Sequence, residues 1–233
     1  MVTFLVTCEH GGNRIPSPYR ALFVGQRRLL DSHRGFDPGA PKMARALAAA
    51  LAAPLVIATV SRLLVDLNRS VGHPRLFSAP IRASSPALRA GILERHYFPH
   101  RRRVESLVRE SVRRGDRVVH IGSHSFTPEL DGVVRNADVG LLYDPARAGE
   151  AQLCADWQKA LAVLAPPVRI RRNYPYAGKG DGLTSYLRRE FGAREYVGIE
   201  LEVNQRIVFA GGSAWRALRA ALVDGLLIAT AGP

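Results

Sequence analysis

Apolar, β-branched runs alternate with helix-forming stretches along the whole 233 residues, and no linker, low-complexity segment or internal repeat interrupts them. Strands of this kind read as buried on both faces, so helices must cover the sheet above and below. The alternation therefore predicts an α/β fold organised as one domain over residues 1–233. Strands are expected at residues 2–7, 55–60, 117–122, 139–143, 168–171 and 196–203, with a further short one at 63–66. Helices are expected at 38–51, 87–114 with a break near Pro99, 149–164, 183–191 and 213–230. Residues 81–90 and 173–182 read as loops. The amino-terminal residues read as the first strand rather than as a leader peptide.

In open sheets of this class, ligands gather beyond the carboxyl ends of the strands. Polar residues concentrate at those places. His10 follows the first strand and precedes Gly11 and Gly12, His124 follows the strand at 117–122, and Glu200 sits in the last strand. Each histidine is a candidate metal ligand or acid–base group, or else a loop histidine with an ordinary hydrogen bond; His120 is expected inside its strand in a structural role. Zinc accepts imidazole and carboxylate donors at about 2.0–2.2 Å. Asp37 either caps the helix that follows it or completes a two-histidine, one-carboxylate set, a place for which Glu9 and Asn13 compete.

The cluster Ser61-Arg62-Leu63-Leu64-Val65-Asp66-Leu67-Asn68-Arg69 follows the second strand. Guanidinium groups pair with carboxylates in two-pronged fashion. Arg62 and Arg69 with Asn68 could therefore hold an anionic substrate or polarise its carbonyl, and Asp66 could brace an arginine instead. On a strand, Glu200, Glu202 and Asn204 share one face. A carboxylate there is costly to bury, which makes Glu200 a candidate general base or the partner of an arginine.

Composition narrows the classes further. Hydrophobic residues are 47% and charged residues 23% of the chain, enough for a sizeable core. No apolar run approaches the roughly 20 residues that span a bilayer. Two cysteines, Cys8 and Cys154, point away from a disulfide framework and towards the cytoplasm. The net charge of +13 comes almost wholly from arginine, a bias that GC-rich coding produces and that favours anionic ligands. The same charge admits an arginine-rich nucleic-acid-binding protein as an alternative. That reading lacks the stacking aromatics it would need, since these residues are only 7% of the chain.

Taken together, the segments Thr7-Cys8-Glu9-His10-Gly11-Gly12-Asn13-Arg14-Ile15-Pro16, Asp37-Pro38-Gly39-Ala40, Ser61-Arg62 through Asp66-Leu67-Asn68-Arg69, Ser123-His124-Ser125-Phe126-Thr127-Pro128, Arg135 to Tyr143, Asn173-Tyr174-Pro175-Tyr176 and Ile199-Glu200-Leu201 resemble the N-formylglutamate amidohydrolases. That family is similar in turn to the zinc carboxypeptidase-like hydrolases. The resemblance implies a three-layer α/β/α fold with a mixed, mostly parallel sheet, zinc exopeptidase-like. It implies Zn²⁺ or another divalent metal near His10 and His124, with Asp37 preferred as third ligand. Asn68 and Arg69 would bind the carboxylates of a small anionic N-acyl amino acid, with Arg135. Arg62 or Arg69 would stabilise the oxyanion and Glu200 would act as base. The chain departs from the carboxypeptidase pattern in carrying Asn13 three residues after the first histidine, and Glu202 where a basic residue is expected. A deacylase or peptidase of the same fold acting on another N-acyl substrate is the alternative.

Overall fold

A computed structural model describes residues 1–231. A six-stranded sheet forms its centre, built from β1 (Val2–Cys8), β2 (Leu55–Ile57), β3 (Arg117–Phe126), β6 (Val139–Leu142), β7 (Ile170–Arg172) and β8 (Tyr196–Asn204). The strands lie in the order β2-β1-β3-β8-β6-β7. Four of them, β2, β1, β3 and β8, run parallel; β6 is antiparallel to β8, and β7 is parallel to β6. The sheet is thus mixed and mostly parallel, as the resemblance implies. A two-stranded hairpin of β4 (Glu129–Leu130) and β5 (Val133–Val134) projects after β3.

The helices are α1 (Arg27–Leu30), α2 (Ala40–Ala50), α3 (Ala79–Arg82), α4 (Pro86–Ile92), α5 (Phe98–Arg113), α6 (Ala148–Leu164), α7 (Leu183–Glu190), α8 (Gln205–Ala210) and α9 (Gly212–Thr230). A 3₁₀ turn lies at Ser17–Phe23, and a π-helical turn at Leu93–Tyr97 joins α4 to α5. None of these helices is long and apolar enough to cross a membrane.

The period of two along each strand sorts the core. Val6, Ile121, Ile199 and Leu201 face the layer of α2, α6 and α9, where Met43, Trp157 and Leu222 are fully buried. Leu5, Val118 and Tyr196 face the layer of α5 and α7, meeting Val104, Val108 and Leu187. A third cluster, including Leu64, Ile81 and Ile92, lies under the loops and short helices between β1 and α5. The fold is therefore α/β/α, with helices on both sheet faces.

Four expectations need correction. Residues 63–66 form no strand: they are buried in the third cluster, and turns satisfy their backbone, with Leu64 N donating to Ser61 O and Asp66 N to Leu76 O. Residues 81–90 are largely helical, spanning parts of α3 and α4, each of which opens on proline within its first turn. The interruption before α5 falls ahead of Pro99, at Leu93–Tyr97, because proline is tolerated in the first turn of the new helix. Finally, β3 continues through His124 to Phe126. Its neighbour β8 extends beside it to Asn204, so the backbone of residues 123–126 keeps a ladder partner after β1 has ended at Cys8.

A buried metal-type cluster at the sheet's carboxyl edge

The carboxyl ends of β1, β3 and β8 bring His10, His124, Glu200 and Glu202 to one place. His10 stands two residues beyond the end of β1. The chain then passes so close to the continuation of β2 that a Cβ at Gly12 would meet the backbone of Thr59. Backbone bonds tie this turn to its neighbours: Arg14 N donates to Thr59 O, and Asp37 N to His10 O. The latter sets Asp37 beside His10. Helix α2 starts only at Ala40, after Gly39 in the left-handed region (φ 81°), so the Asp37 side chain does not cap it and is free to point at the histidines.

Asp37 Oδ2 lies 3.3 Å from His10 Nδ1 and 3.0 Å from His124 Nδ1. The rings sit edge to face, with centroids 5.2 Å apart. The other nitrogen of each ring faces a second buried carboxylate. His10 Nε2 is 2.7 Å from Asp66 Oδ1, and His124 Nε2 is 3.0 Å from Glu9 Oε2. All five residues are almost completely buried. Donor atoms of His10, Asp37 and His124 lie within 4.8 Å of one another.

This is the donor set a divalent cation of the zinc type takes: two imidazoles and a carboxylate, with each ring oriented from behind by a further carboxylate. Electrostatics bind the group together. Burial alone would raise the Asp37 carboxyl, but His10, His124 and Arg62 outweigh it and hold its pKa well below the usual range. Burial likewise opposes protonation of His124, yet Asp37 and Glu9 raise its pKa well above the ordinary value.

Arg62 closes one side. Its Nη2 and Nε donate to Asp66 Oδ2 at 2.7 and 3.2 Å, and Nη1 reaches Asp37 Oδ1 at 3.5 Å, while 27% of the side chain stays exposed. Asp66 thus serves two groups, bracing Arg62 and holding His10. Asn68 donates from Nδ2 to Glu200 Oε1 at 3.2 Å and accepts from Leu183 N at 2.6 Å. Thr184 Oγ1 donates to the same Glu200 oxygen at 3.2 Å.

These side chains line a cavity of about 420 Å³, whose wall includes His10, Asp37, His124, Arg62, Asn68 and Arg69 together with Glu200, Glu202, Tyr176 and Asp181. The 173–182 loop supplies Tyr176 and Asp181 and is fixed to the 69–70 turn: Arg69 Nη1 donates to Asp181 O at 2.8 Å, and Ser70 N to Asp181 Oδ2 at 2.9 Å.

Of the residues singled out in the sequence, His10, Asp37, His124, Arg62, Asn68, Arg69 and Glu200 meet in this cavity. Arg135 does not line it. Its Nη1 donates to Tyr176 Oη at 2.8 Å and its guanidinium stacks on that ring, so it touches the cavity through Tyr176 alone. Asn13 points away, donating to Asp31 Oδ1 at 2.8 Å. Glu9 lies behind His124 rather than in the cavity. His120 lies inside β3, between Thr7 Oγ1 at 2.8 Å and Tyr196 Oη at 2.6 Å, and burial lowers its pKa to about 4.

Glu202 carries more of the cavity than its sequence position suggested. It is 6% exposed, and its Oε2 has no hydrogen-bond partner among the described residues. Burial raises its pKa to about 8; His124 works against this, and Asp37 and Glu200 reinforce it. The face shared with Glu200 was legible in the alternation; the burial was not. Tyr176 and Asp181 came from a loop whose sequence gives no periodic signal.

Comparisons with known proteins bear on the family and the fold. The family model described as N-formylglutamate amidohydrolase matches residues 2–209. A crystallised gene product of Agrobacterium tumefaciens is similar over 98% of this chain and 90% of its own, with a TM-score of 0.83 and 29% identity. A crystallised N-formylglutamate amidohydrolase from Ralstonia eutropha JMP134 has the same fold over 97% of this chain and 92% of its own, at a TM-score of 0.69 and 18% identity. No curated protein matches the chain.

Proposed function

The chain belongs to the N-formylglutamate amidohydrolase family, and from that premise we propose that it hydrolyses the acyl amide of N-formylglutamate or a similar N-acyl acidic amino acid, with zinc or another divalent metal. The observation that carries the reading is the convergence of His10 Nδ1 and His124 Nδ1 on Asp37, in a cavity lined by Arg62, Arg69 and Arg75 together with Asp181, Glu200 and Glu202. His10, His124 and Asp37 would hold the ion. When bound, a divalent ion supplies Lewis acidity at this point of the cavity.

The protein's own groups account for the rest. Asp66 and Glu9 fix the two imidazoles from behind, so the metal-facing nitrogens are set before any ion arrives. Arg62, anchored by Asp66, presents its remaining N–H groups to the cavity and stabilises negative charge developing on the acyl oxygen. Asn68 and Arg69 take the substrate's carboxylate.

Glu200 takes the proton from the attacking water and returns one to the leaving nitrogen. Its neighbour Glu202 is the second candidate for that proton, because it is buried, without a hydrogen-bond partner at Oε2 among the described residues, and poised close to neutrality. The 233 residues act as one catalytic unit, and two unpaired, buried cysteines suit a reducing compartment such as the cytoplasm.

Release of formate from N-formyl-L-glutamate by the zinc-loaded protein tests the reaction. Glu200→Gln and Glu202→Gln, measured side by side, test the base. The variant that keeps its metal and loses about 10²–10⁴ in turnover carries the proton. A metal-loaded protein that hydrolyses neither N-formyl, N-acetyl nor N-succinyl glutamate would overturn the reading.

A further inference from the structure

We propose that the catalytic cavity opens into a second, basic cavity that binds an extra anionic group of the leaving amine, so that the preferred substrate is an N-acyl acidic peptide rather than a single N-acyl amino acid. The proposal rests on the amidohydrolase reading above and names its substrate class.

The two cavities share Arg62, Arg69 and Arg75 as a common wall. The second is the larger, about 750 Å³ against 420 Å³. A cavity of 420 Å³ already falls in the range of about 300–1,000 Å³ that holds a small ligand. A single acylated amino acid leaves the second cavity without a role.

Its lining states what it would take. Beyond the shared wall it adds Arg34, Arg82 and His33, over an apolar floor that includes Leu63 and Phe77. Its one carboxylate, Asp66, is already engaged by His10, Arg62 and the Asn68 backbone N–H. Among the described residues, Arg34, Arg75 and Arg82 form no ion pair, unlike Arg109, Arg188 and Arg206 elsewhere on the molecule. Unpaired guanidinium groups around a concavity concentrate positive potential there. The field registers on His33, whose pKa is lowered by burial and then by Arg34, Arg135 and Arg62.

Position fixes which half of the substrate extends. Arg69 and Arg75 stand between the two cavities, so a carboxylate held at the partition points the rest of the amine component into the second cavity. Methylene groups would cross the apolar floor, and a further carboxylate would meet Arg34 and Arg82. Hydrolysis stays balanced with one water: the acyl C–N bond breaks, the water oxygen joins the acyl carbon, and a proton goes to the amino nitrogen of the released peptide.

Binding of the products tests the site without requiring turnover. Calorimetric titration of the full chain with Glu-Glu, Glu-Lys and glutamate should give Glu-Glu the tightest binding by at least about tenfold. That margin should shrink as salt rises from about 50 mM, as a partly exposed ionic contact requires. The double variant Arg34→Ala, Arg82→Ala, both exposed positions outside the catalytic cavity, should lose the margin and bind glutamate within about twofold of wild type. In kinetics, N-formyl-Glu-Glu should exceed N-formyl-Glu-Lys in kcat/KM by a similar factor in wild type only. Equal binding of Glu-Glu and Glu-Lys, or a margin that survives in the double variant, would overturn the second site. Arginine-dependent binding of Glu-Glu by a protein that hydrolyses no N-acyl compound would overturn the substrate assignment and the proposed reaction together.

Discussion

Replacing Glu202 by glutamine should stabilise the metal-free protein, by an amount that grows with pH. Glu202 lies on β8 with 6% of its surface exposed and no hydrogen-bond partner for Oε2 among the described residues. Burial, opposed by His124 and helped by Asp37 and Glu200, lifts its pKa from 4.5 to about 8. Between those two values the folded protein keeps a proton that the unfolded chain has released. The unfolded state therefore binds fewer protons across that window, and stability falls as pH rises through it.

At about 1.4 kcal/mol per pH unit, the full penalty above pH 8 is ~5 kcal/mol, an upper figure. For a chain of this length that corresponds to roughly 10–20 °C in Tm. Glutamine has the shape of the protonated acid and never ionises, so it escapes the penalty. Thermal unfolding followed by circular dichroism, with a chelator present, should give matching melting temperatures for wild type and variant at pH 4. A gap should open through pH 6 and reach its maximum near pH 9. Equal melting temperatures at pH 9 would show that Glu202 ionises freely, and would refute the burial argument.

Three further changes probe the rest of the account. Asp66→Asn removes the carboxylate behind His10 and should weaken metal affinity by about 10–100-fold, read by competition with a chromogenic chelator; unchanged affinity would mean that His10 is oriented by something else. Arg62→Ala should lower turnover by about 10²–10³ with metal content intact. Gly140→Ala would drive its Cβ into the carbonyl oxygen of Tyr174, so urea unfolding should report a loss of about 1–3 kcal/mol, and KM should rise because the displaced loop carries Tyr176 and Asp181.

The alternation of strands and helices made the layered fold legible, because a β-branched run such as Thr3–Val6 or Val197–Leu201 has few uses except a buried strand. What it could not give was strand length. The end of β3 is set by its pairing with β8, a contact between residues about 78 apart, so His124 falls inside the strand rather than beyond it. The run at 63–66 shows the converse limit: buried apolar residues without a ladder partner look like a strand in sequence and are a turn in space.

In the site, His10, Asp37, His124, Arg62, Asn68, Arg69 and Glu200 come together in one cavity. The orientation of Asp37 was less accessible. An aspartate before an alanine-rich helix reads as a cap, and only the left-handed Gly39 between them moves the helix start to Ala40. The roles of Glu9 and Asp66 behind the histidines depend on ring nitrogens facing in particular directions, which no spacing rule encodes.

The most direct measurement of the central claim is the metal content of the purified protein, wild type beside His124→Ala. His124 supplies one of the three converging donors while Glu9 and Asp37 hold its ring. Wild type should carry about one zinc or equivalent divalent ion per chain, and a variant that circular dichroism shows to be folded should lose it. A wild-type protein that is purified without metal and takes up none when zinc is added would contradict that claim.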